Sequence, residues 1–232
     1  MEALILSGLA GLATCAGSLL VLAIGEPGQR FLGWLLGFAA GIMLGVTSGD
    51  LLPEAWQAGG AGALTVGAIL GLVCLVCLNR LLRRGRPQGR GSYLRLGYFI
   101  GAAIALHDLP EGMAIAVGFA ARPELGCGLA LAIGLHNLPE GMATAAPLRV
   151  GGLTPLRVLA WSMVLAGCTP LGASFGLWAV QTSPLGIASL LAAAAAAMIY
   201  VAAGELLPAA LKNRPWLALL GLTLGLMLGL VI

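Results

Sequence analysis

The stretches 96-LGYFIGAAIALHDLPEGMAIAVGFA-120 and 125-LGCGLALAIGLHNLPEGMATAAP-147 carry two copies of one phrase, 106-LHDLPEGMA-114 and 135-LHNLPEGMA-143, each set inside an apolar run. Each run is about the ~20 residues a helix needs to cross a ~30 Å hydrocarbon core. A charged side chain near the centre of such a helix costs roughly 2.5–3.5 kcal/mol on insertion scales. The phrases therefore demand partners or water inside a helical bundle.

The rest of the chain agrees with a bilayer setting. Of 232 residues, 59% are hydrophobic and 9% charged, with mean hydropathy +1.00, against about 25% charged residues in soluble domains. A soluble α/β enzyme, a nucleic-acid binder and a disordered scaffold are excluded, because none keeps so little charge in water. A β-barrel would alternate apolar and polar residues over roughly ten positions, whereas these runs are continuous. The 36 glycines suit membrane helices that pack closely through small residues.

Breaks at charges and at Pro/Gly clusters predict an all-α integral membrane protein with eight spans near 3–24, 31–53, 61–80, 96–120, 125–147, 156–180, 184–208 and 214–232. They form one transmembrane domain over 1–232. The first run has Glu2 and no basic residue before it, and continues past Cys15, so it is read as a helix rather than a signal peptide. With the N-terminus outside, 11 of the 12 basic residues fall on the inner side and only Arg122 outside. The positive-inside rule then places both termini on the extracytoplasmic face of the cell inner membrane, and the basic loop 83-RRGRPQGRGS-92 in the cytoplasm. That loop reads as a topology determinant, not a nucleic-acid site. Cys15, Cys74, Cys77, Cys127 and Cys168 lie in or beside apolar helices, so no disulfide framework is implied, and the C-x-x-C at 74–77 reads as small-residue packing.

The ionisable side chains inside spans are Asp50 in the second, His107, Asp108 and Glu111 in the fourth, His136 and Glu140 in the fifth, and Glu205 in the seventh, with Glu54 at the outer end of the second. The fourth span enters from inside and the fifth from outside. Each His lies about 11 residues from its helix start, or ~16 Å, so both phrases meet near the midplane. His and Glu at i, i+4 share one helical face. Pro110 and Pro139 lack an N–H and free the carbonyls of Leu106 and Leu135, and Gly112 and Gly141 allow close approach. Two imidazoles, three carboxylates and the Asn137 amide, with no thiolate, suit Zn²⁺, Fe²⁺, Mn²⁺, Co²⁺ or Ni²⁺ better than Cu⁺. Glu111 and Glu140 could bridge two ions about 3.5–4 Å apart.

A second repeat matches 49-GDLLPEA-55 with 204-GELLPAA-210. In the assigned topology one closes a helix at the outer end and the other at the inner end. Helices 1–3 and 6–8 therefore read as an inverted pair around a 4–5 core, a 3+2+3 order common in secondary transporters. Asp50, Glu54 and Glu205 become candidate pathway carboxylates, with helix-end caps as the competing reading.

These residues resemble the ZIP (Zrt/Irt-like protein) family of divalent-metal transporters, in its bacterial branch. The resemblance spans nearly the whole chain and is most specific at 107-HDLPEG-112 and 136-HNLPEG-141, with support at 40-AGIMLGV-46, 49-GDLLPEA-55 and 198-MIYVAAGELLP-208. It implies uptake of Zn²⁺ foremost, with Fe²⁺, Mn²⁺ and Cd²⁺ as further cargo, through a midplane binuclear site by alternating access. By position, His107, Glu111, His136 and Glu140 match the family's first metal site; Asp108, Asn137 and the two glutamates match the second. Where the family presents Glu-Pro in the sixth helix, this chain has Thr169-Pro170, and Asp108 stands where Asn is usual. Asp108 is therefore expected to substitute for the missing Glu, with Thr169 a weak ligand. Met43 is a candidate thioether donor to the first site. The cytoplasmic loop contains no His, so regulation by metal there is not expected.

Three other readings share these residues. The His–Glu pairs could be interhelical hydrogen bonds without metal. A metal-selective channel would use every ligand of a carrier. An intramembrane metalloenzyme needs a dedicated base, and none is left over once each Glu is a ligand. The expected protein is thus not an enzyme and has no cofactor. Its partners are divalent cations and the lipid bilayer, and Gly-rich uncharged helix faces suit a homodimer.

Overall fold

A computed structural model describes residues 1–82, 89–121, 123–179, 184–212 and 215–231. Among them all the regular structure is helical, with no strand. The helices are α1 (Glu2–Ile24), α2 (Gln29–Val46), α3 (Leu52–Leu82), α4 (Arg90–Ala121), α5 (Pro123–Val150), α6 (Pro155–Ala166), α7 (Cys168–Ala179), α8 (Pro184–Val201), α9 (Leu207–Leu211) and α10 (Pro215–Gly229). Five helical stretches are long and apolar enough to cross a membrane, and the protein is a multi-pass membrane protein.

Several boundaries differ from expectation. The second span does not stop at 53; α2 runs through a π-helical turn, Thr47–Leu51, directly into α3. The break comes at Gly60, whose φ of 60° is a conformation that favours glycine. The sixth span is interrupted between α6 and α7, because Pro170 cannot donate to the carbonyl of Ala166. Conversely, α5 continues past Pro147 to Val150, and α4 starts at Arg90, six residues before the expected 96. Most of the basic loop, residues 83–88, lies outside the described residues.

The same irregularity occurs twice. A second π-helical turn, Ala202–Leu206, joins α8 to α9. Each π turn precedes a proline, Pro53 or Pro208. Each is closed by a bond across five residues, from the Leu52 N–H to the Thr47 carbonyl and from the Leu207 N–H to the Ala202 carbonyl. The wider turn rotates the downstream helix away from the register of a regular α-helix, and Asp50 and Glu205 ride on these turns.

Packing sorts the helices into two groups. α1 lies against α5 and α6, and α4 lies against α5 and α7; α2 lies against α10, and α3 against α8. The site-bearing group (α1, α4–α7) then meets the wall (α2, α3, α8–α10) where α4 touches α8 and α3, and where α2 touches α5. The contacts within each group are backbone-close. A Cβ on Gly141 would collide with the carbonyl oxygen of Thr14, and one on Gly112 with that of Thr169. In the wall, Gly67 and Gly71 of α3 meet α8 at Ser189 and Ala193, and Gly221 and Gly225 of α10 meet α2 at Trp34 and Phe38. In lipid no hydrophobic force draws apolar helices together, so dispersion attraction across such close approaches holds them.

The larger apolar core, including Leu35, Phe99, Ile100, Leu148, Leu191 and Val201, lies where the two groups meet. A smaller one, Ala10, Ile115, Ala130 and Ile133, fills the angle between α1, α4 and α5. The repeated phrases sit between them.

Candidate metal centre

α4 and α5 are antiparallel neighbours that bring the two phrases face to face. His107, Asp108, Glu111, His136, Asn137 and Glu140 are all buried, none more than 2% exposed. Six polar side chains packed this deeply among apolar helices must be compensated by one another or by a ligand.

The pairing crosses between helices. His107 Nε2 lies 3.2 Å from Glu140 Oε2, and His136 Nε2 lies 3.1 Å from Glu111 Oε2. Each imidazole thus meets the carboxylate of the opposite helix, not the one four residues on along its own. The i, i+4 spacing puts His and Glu on the same face; the face-to-face approach of α4 and α5 then makes the cross-helix partner the nearer one. With the carboxylates ionised, each Nε2–H donates to the facing oxygen. Asp108 joins at the side, with Oδ1 3.7 Å from His107 Nε2. Ligand atoms of His107, Asp108 and Glu111 all lie within 4.8 Å of one another, a separation that one cation can bridge.

Asn137 has a structural duty that Asp108 does not share. Its Nδ2 donates to the Ala10 carbonyl of α1 at 3.1 Å, leaving its Oδ1 without a partner. Asp108 has no amide hydrogen to give, and both of its oxygens lack a hydrogen-bond partner.

Unpartnered buried polar atoms concentrate here. Glu111 Oε1, Glu140 Oε1, Nδ1 of both histidines, and the hydroxyls of Thr14, Thr144 and Thr169 make no hydrogen bond among the described residues. Elsewhere the helices satisfy hydroxyls locally, each bonding a carbonyl four residues back: Thr47 to Met43, Ser48 to Leu44, Thr65 to Ala61 and Thr223 to Leu219. Such an unpartnered atom costs about 1–3 kcal/mol, and natural proteins hold few of them. Those beside the imidazoles, the open carboxylate oxygens of Asp108, Glu111 and Glu140, have the donor chemistry of a cation site.

The remaining candidates are more scattered. Thr169 is buried on α7, where its backbone carbonyl meets Gly112. Met43 is buried on α2, its carbonyl accepting from Thr47 at 2.6 Å. Asp50 and Glu54 are exposed. Glu205 is buried and held by Arg95 and Asn79. Sequence reasoning missed Thr14, Thr144, Asn79 and Arg95. For Thr14 the available signal was its place 155 residues before Thr169, in 14-TCAG-17 and 169-TPLG-172.

Comparison with known proteins agrees with this chemistry. A family model described as "ZIP Zinc transporter" matches residues 83–232. The chain is 35% identical to the zinc transporter ZupT of Chlorobium limicola over 97% of this chain and 94% of that protein. It is 34% identical to ZupT of Chlorobium luteolum with the same coverage. ZupT of Salmonella arizonae is 36% identical over 91% of this chain and 88% of its own. The buried His/Glu phrases, the apolar helices and these matches together place the chain in the ZIP zinc transporter family, whose members are transmembrane metal transporters and not enzymes.

Proposed function

We propose that this protein imports divalent cations, Zn²⁺ foremost and also Fe²⁺, Mn²⁺ or Cd²⁺, through the α4/α5 centre by alternating access. The observation that carries the reading is the crossed His107–Glu140 and His136–Glu111 pairs with open oxygens around them. A cation arriving there would be held by Nε2 of each imidazole, the proton on that nitrogen passing to the unpartnered Nδ1 or to water, and Glu111 and Glu140 would bridge two ions, with Asp108 and Asn137 completing the second position. Thr169 is a weak oxygen donor beside it, and Met43 an accessory thioether. Asp50 and Glu54 guide cations at the outer mouth. No thiolate holds the ion tightly, which suits release.

The proposed architecture is a single domain over 1–232 with eight spans in 3+2+3 order and an inverted repeat, set in the cell inner membrane with both termini extracytoplasmic and the 83–92 loop inside. Several register matches support it. Thr14 and Gly17 stand 155 residues before Thr169 and Gly172, and their backbones meet Gly141 and Leu138, or Gly112 and Leu109. Trp34 and Phe38 stand 155 residues before Ser189 and Ala193, and each pair is approached by a Gly-x-x-x-Gly, on α10 or α3. The chain is further proposed to work as a homodimer in the lipid bilayer.

The test is ⁶⁵Zn²⁺ uptake into sealed proteoliposomes under an inward zinc gradient, with His136→Ala/Glu140→Ala as control. Saturable uptake that vanishes in the double variant is expected. Uptake unchanged in that variant, or no uptake by protein that circular dichroism shows to be folded, would overturn the proposal.

A further inference from the structure

Side chains at the start of α4 reach across to the α1–α2 connection and to the wall. Arg90 Nη2 lies 3.3 Å from Glu26 Oε1 in the α1–α2 connection, and Tyr93 donates its hydroxyl to Gln29 Oε1 at 3.1 Å; both contacts are exposed. The third, at Arg95, is different in kind because it is largely withdrawn from solvent. The Arg95 and Glu205 side chains are 16% and 8% exposed. The guanidinium donates through Nη1 to Glu205 Oε2 at 3.3 Å, and through Nη2 to Glu205 Oε1 at 3.3 Å and Asn79 Oδ1 at 2.9 Å. Asn79 Nδ2 in turn donates to Glu205 Oε1 at 2.9 Å and to the Tyr200 hydroxyl at 2.8 Å.

This network ties three elements into one knot: α4, which carries half the metal centre; α3; and the π turn after α8. The Tyr200 ring in it packs 6.3 Å from that of Phe99, one turn along α4 from Arg95. Twelve residues, ~18 Å of helix, separate Arg95 from His107. The knot thus lies well beyond the centre, toward the end of α4 that the basic residues assign to the cytoplasm.

We propose that Arg95 is a gating residue: with Asn79 it clasps Glu205, locks the site-bearing group to the wall at the cytoplasmic end, and must let go before an ion leaves by that end. The inference rests on the transport reading above. Arginine stays charged in proteins, so a cation moving toward Glu205 meets a guanidinium that already occupies the carboxylate. A pair so largely withdrawn from solvent resists partial opening, because the buried Glu205 charge left without its partner is strongly disfavoured. The clasp is therefore either made or broken. The matching position of the other repeat has no such clasp. Asp50 is exposed with Glu54 beside it in sequence, and no Lys or Arg among the described residues makes an ion pair with it. One end of the molecule offers open carboxylates to arriving cations, and the other holds its carboxylate shut.

The experiment reads opening directly. Ala103, fully buried on α4 between Arg95 and His107, is changed to Cys in a background with Cys15, Cys74, Cys77, Cys127 and Cys168 replaced by alanine. Labelling by a membrane-impermeant maleimide from the cytoplasmic face is timed in proteoliposomes. Arg95→Gln is expected to speed labelling about tenfold, and the exchanged pair Arg95→Glu/Glu205→Arg to return it to within about twofold of the parent. If Arg95→Gln shows no cooperative melting transition, Asn79→Ser replaces it, with an expected rise of about threefold. Labelling within twofold of the parent in the folded variant, or failure of the exchanged pair to restore it, overturns the clasp. Labelling that follows the expected pattern in protein without ⁶⁵Zn²⁺ uptake upholds the clasp and refutes the transport reading instead.

Discussion

Asp108→Asn separates the two halves of the proposed binuclear centre. Asp108, Glu111 and Glu140 bring three carboxylates to the crossing, and only Asp108 has both oxygens without a hydrogen-bond partner. Its ligand atom lies within 4.8 Å of those of His107 and Glu111. A dication held within that distance of an ionised Asp108 gains, at an effective dielectric constant of ~20, about 7 kcal/mol of gross Coulomb energy. Desolvation of the ion and the residual dipole of an amide offset most of this. If only about 2 kcal/mol survives, the change still corresponds to roughly thirtyfold in affinity. Two zinc ions per chain are expected for the wild type in detergent, counted by isothermal titration with elemental analysis. Asp108→Asn should keep one at near wild-type affinity and weaken the other about thirtyfold or more. Adding Thr169→Glu to that variant should bring the second ion back, because it returns the charge from α7, where the family usually carries it. Two zinc ions bound by Asp108→Asn with both affinities within about threefold of the wild type would refute the reasoning.

Other expectations concern the frame around the centre. Gly112→Ala and Gly141→Ala each drive a methyl into a carbonyl oxygen, of Thr169 and Thr14, and should cost about 1–3 kcal/mol as overpacking does. Gly8→Ala, with nothing within 4 Å of the added carbon, should be neutral in the same thermal-unfolding series, and equal losses at all three would contradict the packing. Ser18→Ala removes a bond to the Gly141 carbonyl at 3.1 Å and the acceptor of Ser162 at 2.6 Å; a loss of about 1 kcal/mol is expected, detectable by denaturant titration in micelles. Thr14→Val discards a hydroxyl that bonds nothing among the described residues, so stability should hold or rise, whereas Thr47→Val loses the 2.6 Å bond to Met43 and should cost about 1 kcal/mol.

Much of the centre was legible in the residues alone because a bilayer makes polar side chains expensive. His107, Glu111, His136 and Glu140 stood out as ionisable groups in apolar runs, and their 29-residue repeat on antiparallel helices put them at one depth. No packing detail was needed for that, since depth follows from helix rise and membrane thickness. The all-helical, apolar character of the chain and its closely packing glycines were readable on the same grounds.

Partner choice was not readable, because it depends on how closely and in what register helices meet. Spacing within each phrase placed His and Glu together on one face, but the approach of α4 to α5 joined His107 to Glu140 and His136 to Glu111. Glu205 was readable as a candidate pathway carboxylate or a helix-end cap, but not its partners: the folded chain sets Arg95 and Asn79, 110 and 126 residues away, against it. Proline at 147 suggested a helix end, yet α5 continues to Val150, since a lost N–H is tolerated when neighbouring helices enclose the backbone. Composition and period report what each residue costs in lipid; which atom compensates it is decided by helix-to-helix contacts that no local pattern encodes.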